Sequence, residues 1–200
     1  MTGLFLVCLA FLSGSIPFGL ILTWAFAGRD VRTVGSGNIG AANVARAAGT
    51  PVGFAVAALD VIKGIVPLLL GRHLGLEPGA LAVVALAAVL GHDFSIFLRF
   101  RGGKGVATSI GVAAVLAPVA GTLAAVTWVV VVFAARFTSL ASLSSLALLP
   151  LYMGLTGAPP AYVFLASSLF MLATVKHWDN IIRLAAGRER RFREPRDDGA

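Results

Sequence analysis

"VATSIGVAAVLAPVAGTLAAVTWVVVVFAA", residues 106–135, is a 30-residue run without a charged side chain. As one α-helix it would extend about 45 Å, too long for a hydrocarbon core of roughly 30 Å. Pro118 and Gly121 stand near its middle, where a turn would fall. The flanking charges decide between one helix and two. Basic residues cluster at Arg29, Arg32 and Arg46, at Arg99, Arg101 and Lys104, at Arg136, and from Lys176 onward. A hairpin at Pro118 puts all of these clusters on one side of a membrane. A single long helix would send Arg136 and the C-terminal tail to the opposite side. Lys- and Arg-rich connections face the cytoplasm, so the run is read as two arms of about 15 residues each, short for a bilayer.

The other apolar runs are Leu4–Ala27, Pro51–Leu70, Ala80–Leu98, Leu140–Met153 and Ala161–Val175. With the hairpin they make seven helices, with the N-terminus outside and the C-terminus on the cytoplasmic side. Arg72 is then the one basic residue in an outer connection. Composition agrees: 58% of residues are hydrophobic and 12% charged, where a soluble domain has roughly a quarter charged. The expected fold is therefore all-α, an integral membrane protein with seven transmembrane helices, some short, and glycine-rich cytoplasmic loops. Residues 1–187 are read as one membrane-embedded domain and 188–200 as a charged tail. That tail is basic and then acidic, a pattern suited to anchoring on anionic lipid. A monomer without a nucleic-acid partner is expected. Cys8 is the one cysteine, so no intramolecular disulfide forms. The first run lacks a preceding basic region and a cleavage site, so no removable signal is expected.

Three polar motifs fall on the cytoplasmic side. In "GSGNIGAANVAR", residues 35–46, Ser36, Asn38 and Asn43 offer neutral hydrogen-bonding groups, Gly37 permits close approach, and Arg46 adds a planar cationic fork. In "RFRGGKGVATSIG", residues 99–111, Gly102, Gly103 and Gly105 surround Lys104 just before a helix, with Thr108 in its first turn. Free amides at a helix N-terminus favour an anion. In "KHWDNIIRL", residues 176–184, His177 and Asn180 share a helical face. The second motif is not the phosphate loop of nucleotide hydrolases. That loop needs Ser or Thr after the lysine, but Gly105 follows Lys104, and the glycine spacing and preceding strand are missing. A phosphate cradle at the membrane surface is what remains. No Ser–His–Asp or Cys–His set and no H-x-x-x-x-D motif is readable. Asp60 and Lys63, three apart within an apolar run, are expected to form an ion pair, with pocket shaping as the alternative.

These motifs, with "SGSIPFGLI" at 13–21, "LDVIKG" at 59–64, "RFTSLASL" at 136–143 and "KHWDNIIRLAAGRE" at 176–189, make the chain resemble the bacterial acyl-phosphate:glycerol-3-phosphate acyltransferase family, the PlsY type. The resemblance spans nearly the whole chain. It implies seven helices with a cytoplasmic active site, and acyl transfer from acyl phosphate to the 1-hydroxyl of sn-glycerol 3-phosphate. It implies membrane lipid surroundings and no cofactor, metal, acyl-CoA or acyl carrier protein. It also implies substrate contacts for Ser36, Asn38, Arg46, Lys104, Ser142, His177 and Asn180. Ser36, Arg46, Lys104, His177 and Asn180 are the candidates for chemistry. Gly37, Asn43, Gly102, Gly103, Gly105 and Thr108 are candidates for binding. Ala42 stands where a threonine is common, Ser95 replaces a usual proline and should loosen its turn, and Trp178 and Asp179 depart from the usual basic residue and Glu or Ser. A phosphate-ester transporter would need internal two-fold symmetry and polar groups at mid-depth. A non-catalytic scaffold would not need three polar loops on one side.

Overall fold

The computed structural model describes residues 1–192, and all regular structure among them is helical. The elements are α1 (Thr2–Ser15), α2 (Phe18–Ala27), α3 (Ala41–Ala48), α4 (Thr50–His73), α5 (Pro78–Asp93), α6 (Val106–Leu116), α7 (Pro118–Ala135), α8 (Thr138–Leu155), α9 (Pro160–Lys176) and α10 (Trp178–Ala185). Two short 3-10 turns, Val31–Thr33 and Ile96–Leu98, complete the set. Five segments are long and apolar enough to cross a membrane: Thr2–Ala27, Thr50–His73, Pro78–Leu98, Pro118–Ala135 and Thr138–Leu155. The apolar helices α6 and α9 are shorter, so there are seven apolar segments. Large side chains such as Phe5, Trp24, Phe133, Phe164 and Met171 are exposed on the outside, as helices bathed in lipid require.

The hairpin breaks at Ala117, but its arms are unequal, 11 residues in α6 and 18 in α7. Gly105, in the left-handed region at φ +68°, directly precedes α6, which starts at Val106 as the uncharged run does. Pro118 takes the first position of α7, where its missing N–H costs nothing. At 1.5 Å per residue α6 reaches about 16 Å, so it ends inside the membrane. The Val115 carbonyl in its last turn accepts from Arg72 Nη1 at 2.8 Å. Arg72, in the last turn of α4, thus caps the end of α6.

The first crossing is interrupted at Ile16 and Pro17 between α1 and α2. Proline supplies no N–H and leaves upstream carbonyls unpaired. Two side chains satisfy them: Lys63 Nζ donates to Ile16 O at 3.0 Å, and Ser95 Oγ donates to Ser15 O at 2.5 Å. Ser95, expected to loosen its turn, is instead buried and ties that turn to α1. At the α1–α5 crossing, Gly14 lies against the Ala88 carbonyl and Gly91 against that of Phe11, so a Cβ at either would strike backbone. Close crossings of this kind are what small residues permit in membrane bundles. The main core unites Leu6, Leu68, Val84, Leu146, Leu149, Met153 and Leu169. A second core of Val31, Ile39, Val44, Val56 and Leu98 seats the segment before α4 on the bundle.

Candidate active site

The polar loops gather at one end through a chain of hydrogen bonds. Lys104 Nζ donates to Asn180 Oδ1. Asn180 Nδ2 donates to Glu189 Oε1 at 2.6 Å, which also accepts from Ser139 Oγ at 2.8 Å. Arg183 Nε donates to Glu189 Oε2 at 2.8 Å. Beyond Glu189 the chain turns back over the loops. Arg191 O accepts from Arg46 Nη2 at 3.5 Å, and Phe192 N donates to Arg136 O at 2.6 Å. Arg46, Lys104, Arg136 and Asn180 therefore border one short stretch of chain. Residues 188–192 of the charged tail lie on this end, and 193–200 fall outside the described residues.

Three side chains here have altered proton affinity. Burial lowers the Lys104 pKa to about 8, and Arg183 pushes the same way, while Glu189 and Asp179 oppose them. Burial, followed by the Lys104 charge, lowers that of His177 to about 4. His177 is therefore neutral at physiological pH. Its Nδ1 lies 2.8 Å from the Ala173 carbonyl. A carbonyl only accepts, so Nδ1 carries the proton and Nε2 keeps its lone pair. Burial alone would raise the Glu189 pKa, but bonds from Asn180, Ser139 and Arg183 bring it below the ordinary carboxylate value. Glu189 is thus an anion clamped between α8 and α10.

The glycine loop is built on α5. Arg99 and Phe100 both have positive φ, 53° and 63°, which costs non-glycine residues about 1–2 kcal/mol each. Phe100 N donates to Ser95 O at 2.8 Å and holds this turn. Gly102 N then donates to Asp93 O at 3.2 Å, and Gly103 N to His92 O at 2.9 Å. Those two amides close the loop onto α5. The Val106, Ala107 and Thr108 amides open α6 and have no intrahelical acceptor.

Other candidate side chains are committed to the scaffold. Asn43 Oδ1 accepts from Ser36 N at 3.0 Å, while its Nδ2 lies within 3.0 Å of the Val31, Val34 and Asn38 carbonyls. Asn43 thus shapes the loop that displays exposed Ser36. Asn38 Oδ1 accepts from Gly40 N at 2.8 Å and turns the chain into α3. Gly37, at φ +69°, makes the intervening turn. Thr108 Oγ1 donates to Asp60 O at 3.0 Å, inside the α4–α6 contact. Ser142 Oγ donates to Thr138 O at 2.7 Å and accepts from Trp128 Nε1 at 3.2 Å. The expected Asp60–Lys63 pair is present at 2.8 Å, with both side chains buried.

Sequence reasoning passed over Glu189, Ser139 and Arg183. One signal was available for Glu189: it is a lone acid in "GRERRFR", where a carboxylate has many cations to serve.

The family model described as Glycerol-3-phosphate acyltransferase matches residues 4–187. A glycerol-3-phosphate acyltransferase of Myxococcus xanthus is 48% identical over 188 residues, covering 94% of this chain and 98% of its own. That of Aquifex aeolicus is 40% identical over 193 residues, covering 96% and 100%. A crystal structure of PlsY, an integral membrane glycerol 3-phosphate acyltransferase, in its glycerol 3-phosphate form superposes with a TM-score of 0.91 at 39% identity, covering 96% of each chain. The lysophosphatidic acid form gives 0.87 at 37% identity, covering 96% of this chain and 95% of the other. With its helical frame and almost its full length in agreement, the chain belongs to the glycerol-3-phosphate acyltransferase family, in its PlsY type.

Proposed function

We propose that this acyltransferase takes its acyl group from acyl phosphate and delivers it to the 1-hydroxyl of sn-glycerol 3-phosphate, giving lysophosphatidic acid and inorganic phosphate. The observation that carries the reading is the Lys104–Asn180 contact beside a neutral His177, with a strongly cationic surrounding. Both substrates bear phosphates. At roughly 6 Å and an effective dielectric near 20, each unit pair of negative charges repels by about 3 kcal/mol. Lys104, Arg46 and the amides opening α6 offset that repulsion, and Ser36 and Asn180 orient the acceptor.

Transfer is direct in this reading. The 1-hydroxyl oxygen bonds to the acyl carbon as the bond to the phosphate oxygen breaks, and the hydroxyl proton ends on the released phosphate. The step balances without an external base, so His177 Nε2 serves to orient the hydroxyl or relay its proton. Among the described residues His177 is hydrogen-bonded to a backbone carbonyl rather than to a Ser or Cys nucleophile, which favours direct transfer over an acyl-enzyme. The acyl chain stays in lipid. A groove of about 280 Å³ bounded by Leu143, Ala147, Phe170, Thr174 and Ile181, the residue after Asn180, suits it.

The basic end faces the cytoplasm of a bacterium, with the N-terminus outside, as the arginine distribution favours. Residues 1–187 act as a monomeric membrane domain. The test is purified protein with labelled glycerol 3-phosphate and acyl phosphate, acyl-CoA or acyl carrier protein as donor. Labelled lysophosphatidic acid from acyl phosphate alone supports the reading, and product only from a thioester refutes it.

A further inference from the structure

Beneath the glycine loop lies a buried charged layer. Asp60 and Lys63 form its ion pair on α4, and His92 on α5 places Nδ1 3.5 Å from Asp60 Oδ1. The far side of the same imidazole bears on the loop. A Cβ added to Gly103 would land on His92 Nε2, with the ring carbons Cδ2 and Cε1 each 2.9 Å away. Those are its three nearest atoms, and all belong to one side chain. The backbone of Gly103 is not in the left-handed region that favours glycine. Gly103 therefore has one steric reason to lack a side chain, and that reason is His92. The neighbouring glycines differ. A Cβ at Gly102 would strike the backbone of His92 and Asp93, and Gly105 has φ +68°.

We propose that His92 is a positioning residue for acyl transfer. Its ring, backed by the Asp60–Lys63 pair, fixes the height of the Gly102–Gly105 turn and so sets where Lys104 presents its ammonium to substrate phosphate. The backbone bond from Gly103 N to His92 O at 2.9 Å fixes the turn along the chain, and the imidazole fixes it in depth. A loose turn would leave Lys104 misplaced, and a displacement of about 1 Å near reacting groups costs on the order of 100-fold in rate. The inference rests on the proposed phosphate-binding role of this turn.

The test is a double-mutant cycle read by calorimetric binding of glycerol 3-phosphate without any acyl donor, so the donor assignment does not enter. Binding stoichiometry counts the folded fraction. Gly103→Ala alone weakens binding about 100-fold, because the new methyl group drives the turn off the ring. His92→Asn keeps an N–H toward Asp60 but withdraws the atoms that face Gly103, and alone it weakens binding about 10-fold. In that background Gly103→Ala costs less than about 3-fold more. His92→Gln reaches as far as Nε2 and keeps binding within about 3-fold of the native protein. Gly102→Ala, which meets backbone, stays damaging beside His92→Asn. His92→Ala repeats the cycle should the asparagine variant misfold. Equal damage from Gly103→Ala with and without the His92 substitution overturns the proposal, as does a harmless Gly103→Ala. Failure of acyl phosphate as donor, with the binding cycle intact, refutes the donor reading alone.

Discussion

Replacing Lys104 with methionine separates the catalytic value of this residue from its cost to the fold. The lysine is half-buried with its pKa lowered to about 8, against 10.5 for a solvated one. A lysine whose folded pKa lies below its unfolded value destabilises the fold while protonated. Its penalty is complete below pH 8 and fades as pH rises from 8 to 10.5. At pH 7 the penalty is roughly 3 kcal/mol. Methionine removes it but leaves Asn180 Oδ1 without its donor, a loss of about 1–3 kcal/mol. The balance is about 0–2 kcal/mol in favour of the variant, so Tm should stay level or rise by up to roughly 6 °C. Activity should move the other way. A unit charge at about 4 Å from phosphate, with effective dielectric near 20, contributes about 4 kcal/mol, and the loss of about 3–4 kcal/mol is a 100- to 1,000-fold drop in kcat/KM. The assay is lysophosphatidic acid formation with parallel thermal melting in detergent. Near-native turnover, or a Tm lowered by 10 °C or more (roughly 3 kcal/mol), would refute the reasoning.

Three further outcomes are expected. His177 is held neutral by burial, its pKa near 4. Stability should therefore be complete above pH 6.5 and decline as pH falls toward 4, and denaturant titration should find that slope flattened in His177→Asn. Thr108→Val removes a hydroxyl already bonded to Asp60 O, so steady-state kinetics should show kcat/KM within about 3-fold of native; a 100-fold loss would place that hydroxyl on substrate. Glu189→Gln weakens the clamp on Ser139, Asn180 and Arg183 and should cost about 1.5–3 kcal/mol of stability, measured as a lower Tm.

The apolar frame was legible because hydrocarbon length and the one-sided arginines leave few choices, and Pro118 marked the hairpin. Equal arms of about 15 residues are not what forms, because Pro118 lies off-centre in the run and leaves 11 residues to α6 and 18 to α7. The lysine, histidine and asparagine of the site were readable as polar groups stranded beside apolar runs. Their neighbours were harder. Asn43 and Thr108 look like ligand donors in sequence, yet folding commits them to carbonyls of other segments. Glu189 looked like part of a solvated tail because its partners Ser139 and Arg183 meet it only through the packing of α8 and α10. Hydrogen-bond partners across helices depend on packing angle and depth, which composition and periodicity do not encode.

The central claim is direct transfer at a cationic turn, and rapid-quench measurement of phosphate release tests it most directly. Purified protein is mixed with acyl phosphate, first without and then with glycerol 3-phosphate. Direct transfer predicts no burst until the acceptor is added, then one lysophosphatidic acid for each phosphate. A burst of about one phosphate per protein without acceptor would reveal an acyl-enzyme and contradict the account.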